Sequence, residues 1–437
     1  MRVLFVTASY LPESVGGVEL HIAGLARALI EAGHEPFVFA RTGQPGLAHL
    51  QTARDDVDGV PVVRLANTFE DATTLPMLYA HEGIADAFEA VLDELRPDVV
   101  HVHHLTCLST RILDRLAARG VPTVMTLHDF WMGCPRGQRI TAGLQTCPEI
   151  KLERCVTCLR ELWPHLLGKD PAPDAPDEER AAHDRAQLEQ YHATMRTVLG
   201  GVDALVTPSD FMRRMFEAYG VPAGRVRVVA NGLPTASYAG LERRRAGSGP
   251  LRIGFIGSVL PSKGVHLLME AFRRLGDPLG LSLHIWGEVL PFHNDRTYGE
   301  RLEALRSGFE TAITLHGRYA NDDLPQILAE LDVLVVPSLW YEAFALTIRE
   351  AFLAGVPVVT ANHGAMAEAV EHGRTGLLFE TGDVASLAGC LRRLADDPAL
   401  REALAAAARG QVRDEADAAA ELQGLYESLA GAGEGPQ

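Results

Sequence analysis

The chain has few cysteines and no long apolar run, and each shortage excludes a class of protein. Six cysteines in 437 residues are too few for a small scaffold stapled by disulfides. No apolar run approaches the ~20 residues that a membrane-spanning helix needs, so we expect no transmembrane segment. The opening stretch, Met1-Arg2-Val3-Leu4-Phe5, lacks the cleavage site of a signal peptide. We therefore expect a cytoplasmic protein whose first residues form a core strand.

Basic residues are also in the minority. Forty lysines and arginines stand against 57 aspartates and glutamates, which gives a formal net charge of −17. Duplex nucleic-acid binding requires a basic surface that displaces counterions, and electrostatic attachment to anionic lipid requires one too. We therefore expect no nucleic-acid partner. Hydrophobic residues at 47% and charged residues at 22% are typical of an ordinary globular chain.

Short β-branched runs alternate with helical stretches along the whole sequence. After the first run, Val18, Ile22, Leu25 and Leu29 recur at helical spacing, and Gly33 marks the end of that helix. In the first half, strands are predicted over residues 3–9, 35–40, 60–65, 98–103, 122–128, 204–209 and 225–230. In the second half, they are predicted over residues 251–257, 281–287, 312–316, 333–337, 357–360 and 375–379. This alternation predicts an α/β protein whose parallel sheets are covered by helices.

The pattern restarts once, which predicts two doubly wound, Rossmann-like domains over residues 1–240 and 241–410. A polar, glycine-containing linker at 242–250 separates them. Residues 411–437 are expected to form a C-terminal helix and tail that pack back on the first domain, with helix predicted over 401–430 and disorder over 431–437. Ligands of such sheets bind at the carboxyl ends of the strands. We therefore expect the chemistry in a cleft between the two domains.

One stretch of the first domain, residues 134–185, has no sustained strand pattern. It holds four of the six cysteines and a proline-rich segment at 170–177. We interpret it as an insertion, part metal-bound and part mobile.

The loops that follow the predicted strands carry the candidate ligand contacts. Gly16-Gly17 precede the first long helix, where adjacent glycines let the backbone approach an anion, although a plain tight turn would use them too. Lys263 stands at the entrance of another helix, where its ammonium and the helix dipole would converge on a phosphate. The alternative for Lys263 is a solvated surface lysine.

Carboxylates and histidines occupy other strand ends. Glu342 precedes a helix and Glu350 lies in its early turns; a carboxylate at this edge can accept both hydroxyls of a ribose, whereas isolated helix glutamates are usually solvated. His128 and His103 end two strands of the first domain and are candidates for hydroxyl or phosphate contacts. We interpret His101, within a strand, as structural.

Taken together, these motifs resemble the retaining GT-B glycosyltransferases of family 4. The resemblance rests on Gly16-Gly17, His128-Asp129, Thr207-Pro208-Ser209, Asn231-Gly232, Lys263-Gly264 and the E-x7-E pair Glu342 and Glu350. It implies transfer of a sugar, with retention of configuration, from a UDP-, GDP- or ADP-type nucleotide sugar to an acceptor hydroxyl. The acceptor would be a small molecule, a glycan or a lipid. A lipid acceptor would place the enzyme at a membrane surface.

The resemblance also implies roles for single residues. Glu350 would bind the donor ribose, Lys263 the phosphates, and Glu342 the transferred sugar. Gly16-Gly17 would close on the diphosphate, and His128 would contact the donor sugar, so His128, Glu342 and Lys263 are the catalytic candidates. The remaining substrate-binding candidates are Ser258, Arg318, Phe344, Ala345 and Leu346.

The sequence departs from the family pattern at three places. Alanine replaces both glycines of the usual Glu-Gly-Phe-Gly, giving Glu342-Ala343-Phe344-Ala345. Ser258 stands where an arginine is common, and Arg318 is the candidate to replace that cation or to line the base pocket. No catalytic metal is expected, since Lys263 and helix N–H groups would stabilise the leaving diphosphate. The one Asp-x-Asp stretch, at 56–58, is interpreted as a turn.

Four cysteines lie within 25 residues and end in a C-x2-C: Cys134, Cys147, Cys155 and Cys158. Four thiolates with this spacing predict a structural zinc site, while an iron–sulfur cluster or no metal are the alternatives. Two other functions stay open beside glycosyl transfer. One is a non-catalytic nucleotide-sugar-binding protein, which the two alanines in glycine positions favour, and the other is a redox enzyme that uses the cysteines to hold a cluster.

Overall fold

The computed structural model describes residues 1–167, 176–243, 249–276, 280–293 and 295–432. The chain divides into two compact units. The first unit contains Met1–Gln138, Pro148–Gly232 and the residues from Glu415 onward, and the second contains Arg139–Cys147 and Leu233–Asp414. The proline-rich segment at 170–177, the linker at 242–250 and the tail at 431–437 lie largely outside the described residues.

The first unit is built on an eight-stranded sheet. Its strands are β1 Arg2–Thr7, β2 Glu35–Thr42, β3 Thr52–Val57, β4 Val60–Ala66, β5 Val99–Val102, β6 Thr123–Thr126, β7 Ala204–Thr207 and β8 Val226–Val228. They lie in the order β3-β4-β2-β1-β5-β6-β7-β8, and β3 runs antiparallel to β4 while the other pairs are parallel. The central strands are buried along their length, as expected for a parallel sheet covered on both faces.

Helices cover this sheet. They are α1 Gly17–Glu31, α2 Glu82–Leu95, α3 Arg111–Arg119, α4 Leu152–Leu162, α5 Asp177–Gly201 and α6 Asp210–Tyr219. Three apolar residues of the predicted stripe, Ile22, Leu25 and Leu29, are buried on α1. The predicted insertion does not end at a structural boundary at residue 185, because α5 runs through it and buries Leu188 and Met195 further along.

The second unit is built on a six-stranded, wholly parallel sheet. Its strands are β9 Leu251–Ile256, β10 Leu281–Trp286, β11 Ile313–Gly317, β12 Val333–Val336, β13 Val358–Ala361 and β14 Gly376–Phe379. The order is β11-β10-β9-β12-β13-β14, the dinucleotide-fold arrangement in which the chain reverses its direction of travel between β9 and β12. The helices are α7 Val265–Arg274, α8 Tyr298–Arg306, α9 Leu324–Ala329, α10 Leu346–Ala354, α11 Gly364–Ala369, α12 Val384–Asp396 and α13 Pro398–Ala408.

The last helix, α14 Glu415–Ala432, belongs to the first unit and packs on α1. The prediction of one helix over 401–430 is wrong. A 3-10 turn at Arg409–Gln411 follows α13, and the chain then runs extended, where Leu233 N donates to Arg413 O at 3.0 Å. Gly410, a weak helix former, lies at this break. None of the helices in the described ranges is long and apolar enough to cross a bilayer.

One strand escaped prediction. β3 pairs with β4 through a tight turn at Asp58-Gly59, both with positive φ, which is the Asp-Gly hairpin turn. The interpretation of residues 56–58 as a turn is therefore wrong for the first two, which end β3. The strand is mostly exposed and lacks apolar alternation, so its sequence gives no strand signal.

Candidate functional site

The reversal point of the second sheet brings two loops into direct contact. The loop after β9 passes through a 3-10 turn at Pro261–Lys263 and enters α7 at Gly264. Gly264 has φ +72°, and a Cβ there would lie 2.1 Å from Pro337 O, just after β12. Leu339 N also donates to Ser262 O at 2.7 Å. This close backbone approach sets Lys263 beside the residues that follow β12.

Gly264→Ala is expected to destabilise the protein by about 2–4 kcal/mol, because it adds a left-handed backbone penalty to a collision with the Pro337 carbonyl. Gly373→Ala is the matched control, since Gly373 has φ +78° with nothing within 4 Å of its Cβ position. We expect it to lose only about 1–2 kcal/mol. Equal losses in urea unfolding would contradict the close approach.

Three donors converge on one oxygen of Glu342. Its Oε1 accepts hydrogen bonds from Lys263 Nζ, Ser338 Oγ and Trp340 Nε1, each at 2.7 Å. Lys263 Nζ also lies 4.9 Å from the centre of the Trp340 ring, within cation–π range. Burial opposes ionisation of Glu342, but the Lys263 charge and the three donated bonds outweigh it and lower its pKa. Glu342 is therefore a carboxylate at neutral pH, and the ammonium has two more N–H groups for a ligand.

Helix α10 presents its N-terminus two residues after Phe344. Its N-cap, Ala345, offers no side-chain acceptor, so the N–H groups of the first turn are oriented to receive an anion. Arg349 lies 3.6 Å from the centre of the Phe344 ring and donates to Phe344 O. Burial lowers the pKa of Arg349 to about 10, so the guanidinium keeps its charge at neutral pH. Leu346 is the first residue of the helix.

Ala345 adopts the left-handed conformation, with φ +53° and ψ +68°, at a position where the family pattern has glycine. An L-residue in this region is strained by about 1–2 kcal/mol, and glycine would relieve that strain. Glycine also makes the unfolded chain more flexible, which lowers stability by about 0.4–1 kcal/mol and offsets part of the gain. Ala345→Gly is therefore expected to raise the free energy of unfolding by about 0.5–1 kcal/mol. The control Ala351→Gly, inside α10, should lower it by about 1 kcal/mol or more. Urea denaturation of both variants measures this, and a destabilised Ala345→Gly would contradict it.

Glu350 lies on α10 and is only 7% exposed. Burial raises its pKa to about 7. Burial, reinforced by the Glu350 charge, also raises the pKa of Tyr319 to about 12 and raises that of Tyr238. The carboxyl group therefore sits in dry surroundings near two phenols, where hydroxyl donors of a ligand would stabilise its ionised form.

Two other predicted donor contacts have less support. Ser258 is exposed in the loop after β9. Arg318 is 80% exposed, and its Nε donates to Glu288 Oε2 at 2.6 Å. The roles of both stay predictions.

Histidines gather at the reversal point of the first sheet, between β1 and β5. His103 Nδ1 lies 2.9 Å from His128 Nε2, and the His21 ring centre on α1 lies 5.6 Å from both ring centres. Burial, with smaller contributions from neighbouring histidines, holds the pKa of His103 and His128 well below 6.5, and burial lowers that of His21 to about 4. His101 contacts Tyr426 Oη at 2.6 Å and Thr126 Oγ1 at 2.7 Å, which agrees with a structural role.

The two predicted glycines lie where α1 begins. Gly16 is its N-cap in extended conformation and Gly17 is its first residue. A Cβ on Gly16 would lie 2.7 Å from Glu19 Oε2, and Ser9 Oγ donates to Glu19 Oε1. Glu19 therefore occupies the loop that the glycines shape, a contact that sequence reasoning missed.

Sequence reasoning also missed Ser338 and Trp340, which donate to Glu342, and His21, which joins the histidines. The signal for the first two is their position in the same strand-end loop as Glu342. His21 gives no such signal, because its helix position is compatible with a core-facing or a half-exposed side chain.

All four predicted cysteine ligands lie among the described residues. Cys155 and Cys158 are on α4, and Arg136 Nη1 donates to Cys158 Sγ at 3.5 Å. Among the described residues, two groups of three or more metal-ligating side chains have ligand atoms within 4.8 Å of one another, and neither contains a cysteine. The four-cysteine metal site, zinc or cluster, stays a prediction.

Comparison with known proteins identifies relatives over nearly the whole chain. D-inositol 3-phosphate glycosyltransferase of Thermomonospora curvata is 33% identical over 420 residues, which cover 90% of this chain and 85% of that protein. Glycogen synthase of Mycobacterium tuberculosis is 29% identical over 435 residues, which cover 95% and 91%. The crystal structure of Alr3699/HepE from Anabaena with UDP-glucose matches with a TM-score of 0.68 at 19% identity, over 98% of this chain and 100% of that one.

The structural likeness shows a shared fold and, with the two α/β units, confirms the predicted GT-B fold class, while the Cys-rich insertion in the first domain stays a prediction. The family described as glycosyl transferases group 1 matches residues 250–397, and the family described as Glycosyltransferase Family 4 matches residues 15–237. Because the second match alone spans more than half of the 437 residues, this chain belongs to glycosyltransferase family 4.

Proposed function

We propose that the protein transfers a sugar from a nucleotide diphosphate sugar to an acceptor hydroxyl and retains the anomeric configuration. The observation that carries the proposal is the contact between Lys263 and Glu342 at the reversal point of the second sheet. Glu342 lies in the loop that leads to the N-terminus of α10, which has no side-chain cap. An ammonium and free helix N–H groups suit a diphosphate. A UDP-glucose complex of a protein with the same fold is consistent with this donor class.

The cationic and the anionic residues of the site have different proposed roles. Lys263 donates to the diphosphate as negative charge grows on it, while Glu342, held by Ser338 and Trp340, faces the sugar. Preorganised donors of this kind are usually the largest contribution to catalysis. Glu350 would accept the ribose hydroxyls. The acceptor hydroxyl would attack from the face that the diphosphate leaves and give its proton to the departing phosphate, which explains retention without a separate general base.

The relatives named above act, by their names, on glycogen and on an inositol phosphate. We therefore propose a polyhydroxylated acceptor, either a glycan or a phosphorylated polyol. Family membership does not favour a redox enzyme, nor a protein that binds nucleotide sugars without turning them over.

The test is a panel of UDP-, GDP- and ADP-sugars, first by thermal shift, because a ligand stabilises the native state according to its occupancy. The stabilising donor is then incubated with glycan and polyol acceptors, and the anomeric configuration of the product is read by NMR. Transfer with retention supports the proposal. Binding without turnover of any donor would contradict the transferase, and an inverted product would contradict retention alone.

A further inference from the structure

Three histidines of the first unit direct ring nitrogens toward one point. His21 lies on α1, His103 follows β5 and His128 follows β6, and one ring nitrogen from each lies within 4.8 Å of the other two. We propose that these three imidazoles form a site for one Zn²⁺ ion, separate in chemistry from the predicted cysteine site.

The spacing fits the metal. Zinc binds imidazole nitrogen at about 2.0–2.1 Å in a tetrahedron, which places ligand nitrogens about 3.3–3.4 Å apart. The observed contact of 2.9 Å between His103 Nδ1 and His128 Nε2 lies below that value, and the 4.8 Å limit for the whole group lies above it. Small ring movements are therefore enough to bring three nitrogens to zinc distance.

One ring nitrogen of the group has no hydrogen-bond partner among the described residues. His103 is 2% exposed, and its Nε2 is buried with no hydrogen-bond partner in the described structure. A buried nitrogen without a partner is unfavourable.

A second group among the described residues pairs two histidines with a carboxylate. His49 Nε2 and His81 Nε2 lie 3.1 and 2.7 Å from the same oxygen of Asp71. Their Nδ1 atoms contact backbone N–H groups, of Thr68 and Ile84 respectively, at 3.3 Å. His81 is engaged on both ring nitrogens, whereas His49 Nε2 lies near Asp71 without a hydrogen bond. Because His49 is not one of the three proposed ligands, it serves as the control position for substitution.

A cavity of about 20 Å³ adjoins the proposed site and is lined by His103, His104, His128 and Asp129 among others. This volume holds about one water molecule. Three protein ligands with an open fourth position are the arrangement of zinc sites that keep a water or take a substrate oxygen. A water in this cavity, beside His103 and His128, would supply the fourth ligand to a metal held by the three imidazoles.

The site has a consequence for the proposed transferase. His128 is the predicted contact to the donor sugar, and a metal-bound imidazole has no lone pair left on that nitrogen. Zinc occupancy is thus expected to inhibit transfer, and this consequence alone rests on the proposed function.

The experiment uses full-length protein stripped with a chelator and titrated with Zn²⁺ against a chromophoric competitor, and with Co²⁺ for its visible spectrum. No nucleotide or sugar is present, so the outcome is independent of the transferase assay. The titration is repeated in Cys155→Ser/Cys158→Ser, which disables the predicted cysteine site, and there we expect one bound ion per chain whose Co²⁺ bands lack thiolate charge transfer. His21→Ala and His103→Ala should each weaken its binding by about 100-fold or more, while His49→Ala should leave it intact.

Retained affinity in folded His21→Ala on the Cys155→Ser/Cys158→Ser background would overturn the proposal, and so would a purely thiolate spectrum that disappears with the two cysteines. Circular dichroism checks each variant. If His103→Ala does not fold, His21→Ala decides alone, because no side-chain hydrogen bond of His21 is described whose loss would unfold the protein.

Discussion

Lys263→Met is expected to lower kcat by about 10²–10³-fold, the effect of removing one preorganised donor from a developing anion. Methionine keeps most of the apolar stem and removes only the charge and its hydrogen bonds. The change also leaves the Glu342 carboxylate with Ser338 and Trp340 alone, and we expect this to lower the free energy of unfolding by about 2 kcal/mol. Donor-saturated initial rates and urea denaturation measure the two effects separately.

A double variant separates the effect of Lys263 on the transfer rate from its effect on the free energy of unfolding. In Lys263→Met/Glu342→Gln no unpaired charge remains, so we expect stability to recover toward that of the unaltered protein while the rate stays low. Lys151→Met is the control, since Lys151 is 57% exposed and pairs with Glu149 on the surface. Recovery of the rate together with stability in the double variant would show that Lys263 positions Glu342 and does not itself contact the diphosphate.

Glu350→Gln is expected to raise the donor KM by about 10–100-fold and to leave kcat nearly unchanged. Hydrogen bonds to a charged acceptor contribute about 1.5–3 kcal/mol, against about 1 kcal/mol for neutral pairs. Because the pKa of Glu350 is about 7 before a ligand binds, the donor KM of the unaltered enzyme should fall as the pH rises from 6 to 8. The glutamine variant should show no such slope. Steady-state kinetics with varied donor at each pH tests this.

The same carboxyl group affects folding in the opposite direction. Its pKa is about 7 in the native state against 4.5 normally, so between these values the unfolded chain has lost a proton that the native protein still holds. Stability therefore falls as the pH rises from 4.5 to 7, by about 3 kcal/mol in all at 1.36 kcal/mol per pKa unit. Glu350→Gln should become progressively more stable than the unaltered protein over this range. Glu371→Gln, with a 60% exposed side chain, should show neither effect. An unchanged donor KM in Glu350→Gln would show that Glu350 does not bind the donor.

The repeating strand and helix pattern was enough to predict both parallel sheets, because buried parallel strands give continuous β-branched runs. It also placed Lys263 and Glu342 at strand ends of one sheet. The meeting of three donors on a single Glu342 oxygen could not be predicted, since it depends on the backbone contact between Gly264 and Pro337. The side chain of His21 likewise meets those of His103 and His128 only once α1 has packed beside β5 and β6.

The secondary-structure predictions were wrong where a segment has few apolar residues, or where contacts with distant residues override its local helix propensity. The polar strand β3 is stabilised by hairpin pairing to β4 rather than by burial. The alanine-rich C-terminal region favours a continuous helix by propensity, but the backbone pairing of Leu233 with Arg413 interrupts it. The left-handed Ala345 was visible in the sequence only as an alanine in a glycine position; its strain is a property of the folded loop.

The packing of α14 has a bearing on how the chain folds as it leaves the ribosome. Ala419, Leu422 and Tyr426 complete the apolar cluster that includes Ile22 and Leu25 of α1, yet they are synthesised after the whole of the second unit. The N-terminal half therefore emerges with part of its apolar surface exposed to solvent, and this surface remains exposed until translation is nearly finished. We expect chaperones to bind this exposed apolar surface during synthesis. An N-terminal fragment that lacks α14 should be poorly soluble when expressed alone and should become more soluble when α14 is supplied as a separate peptide.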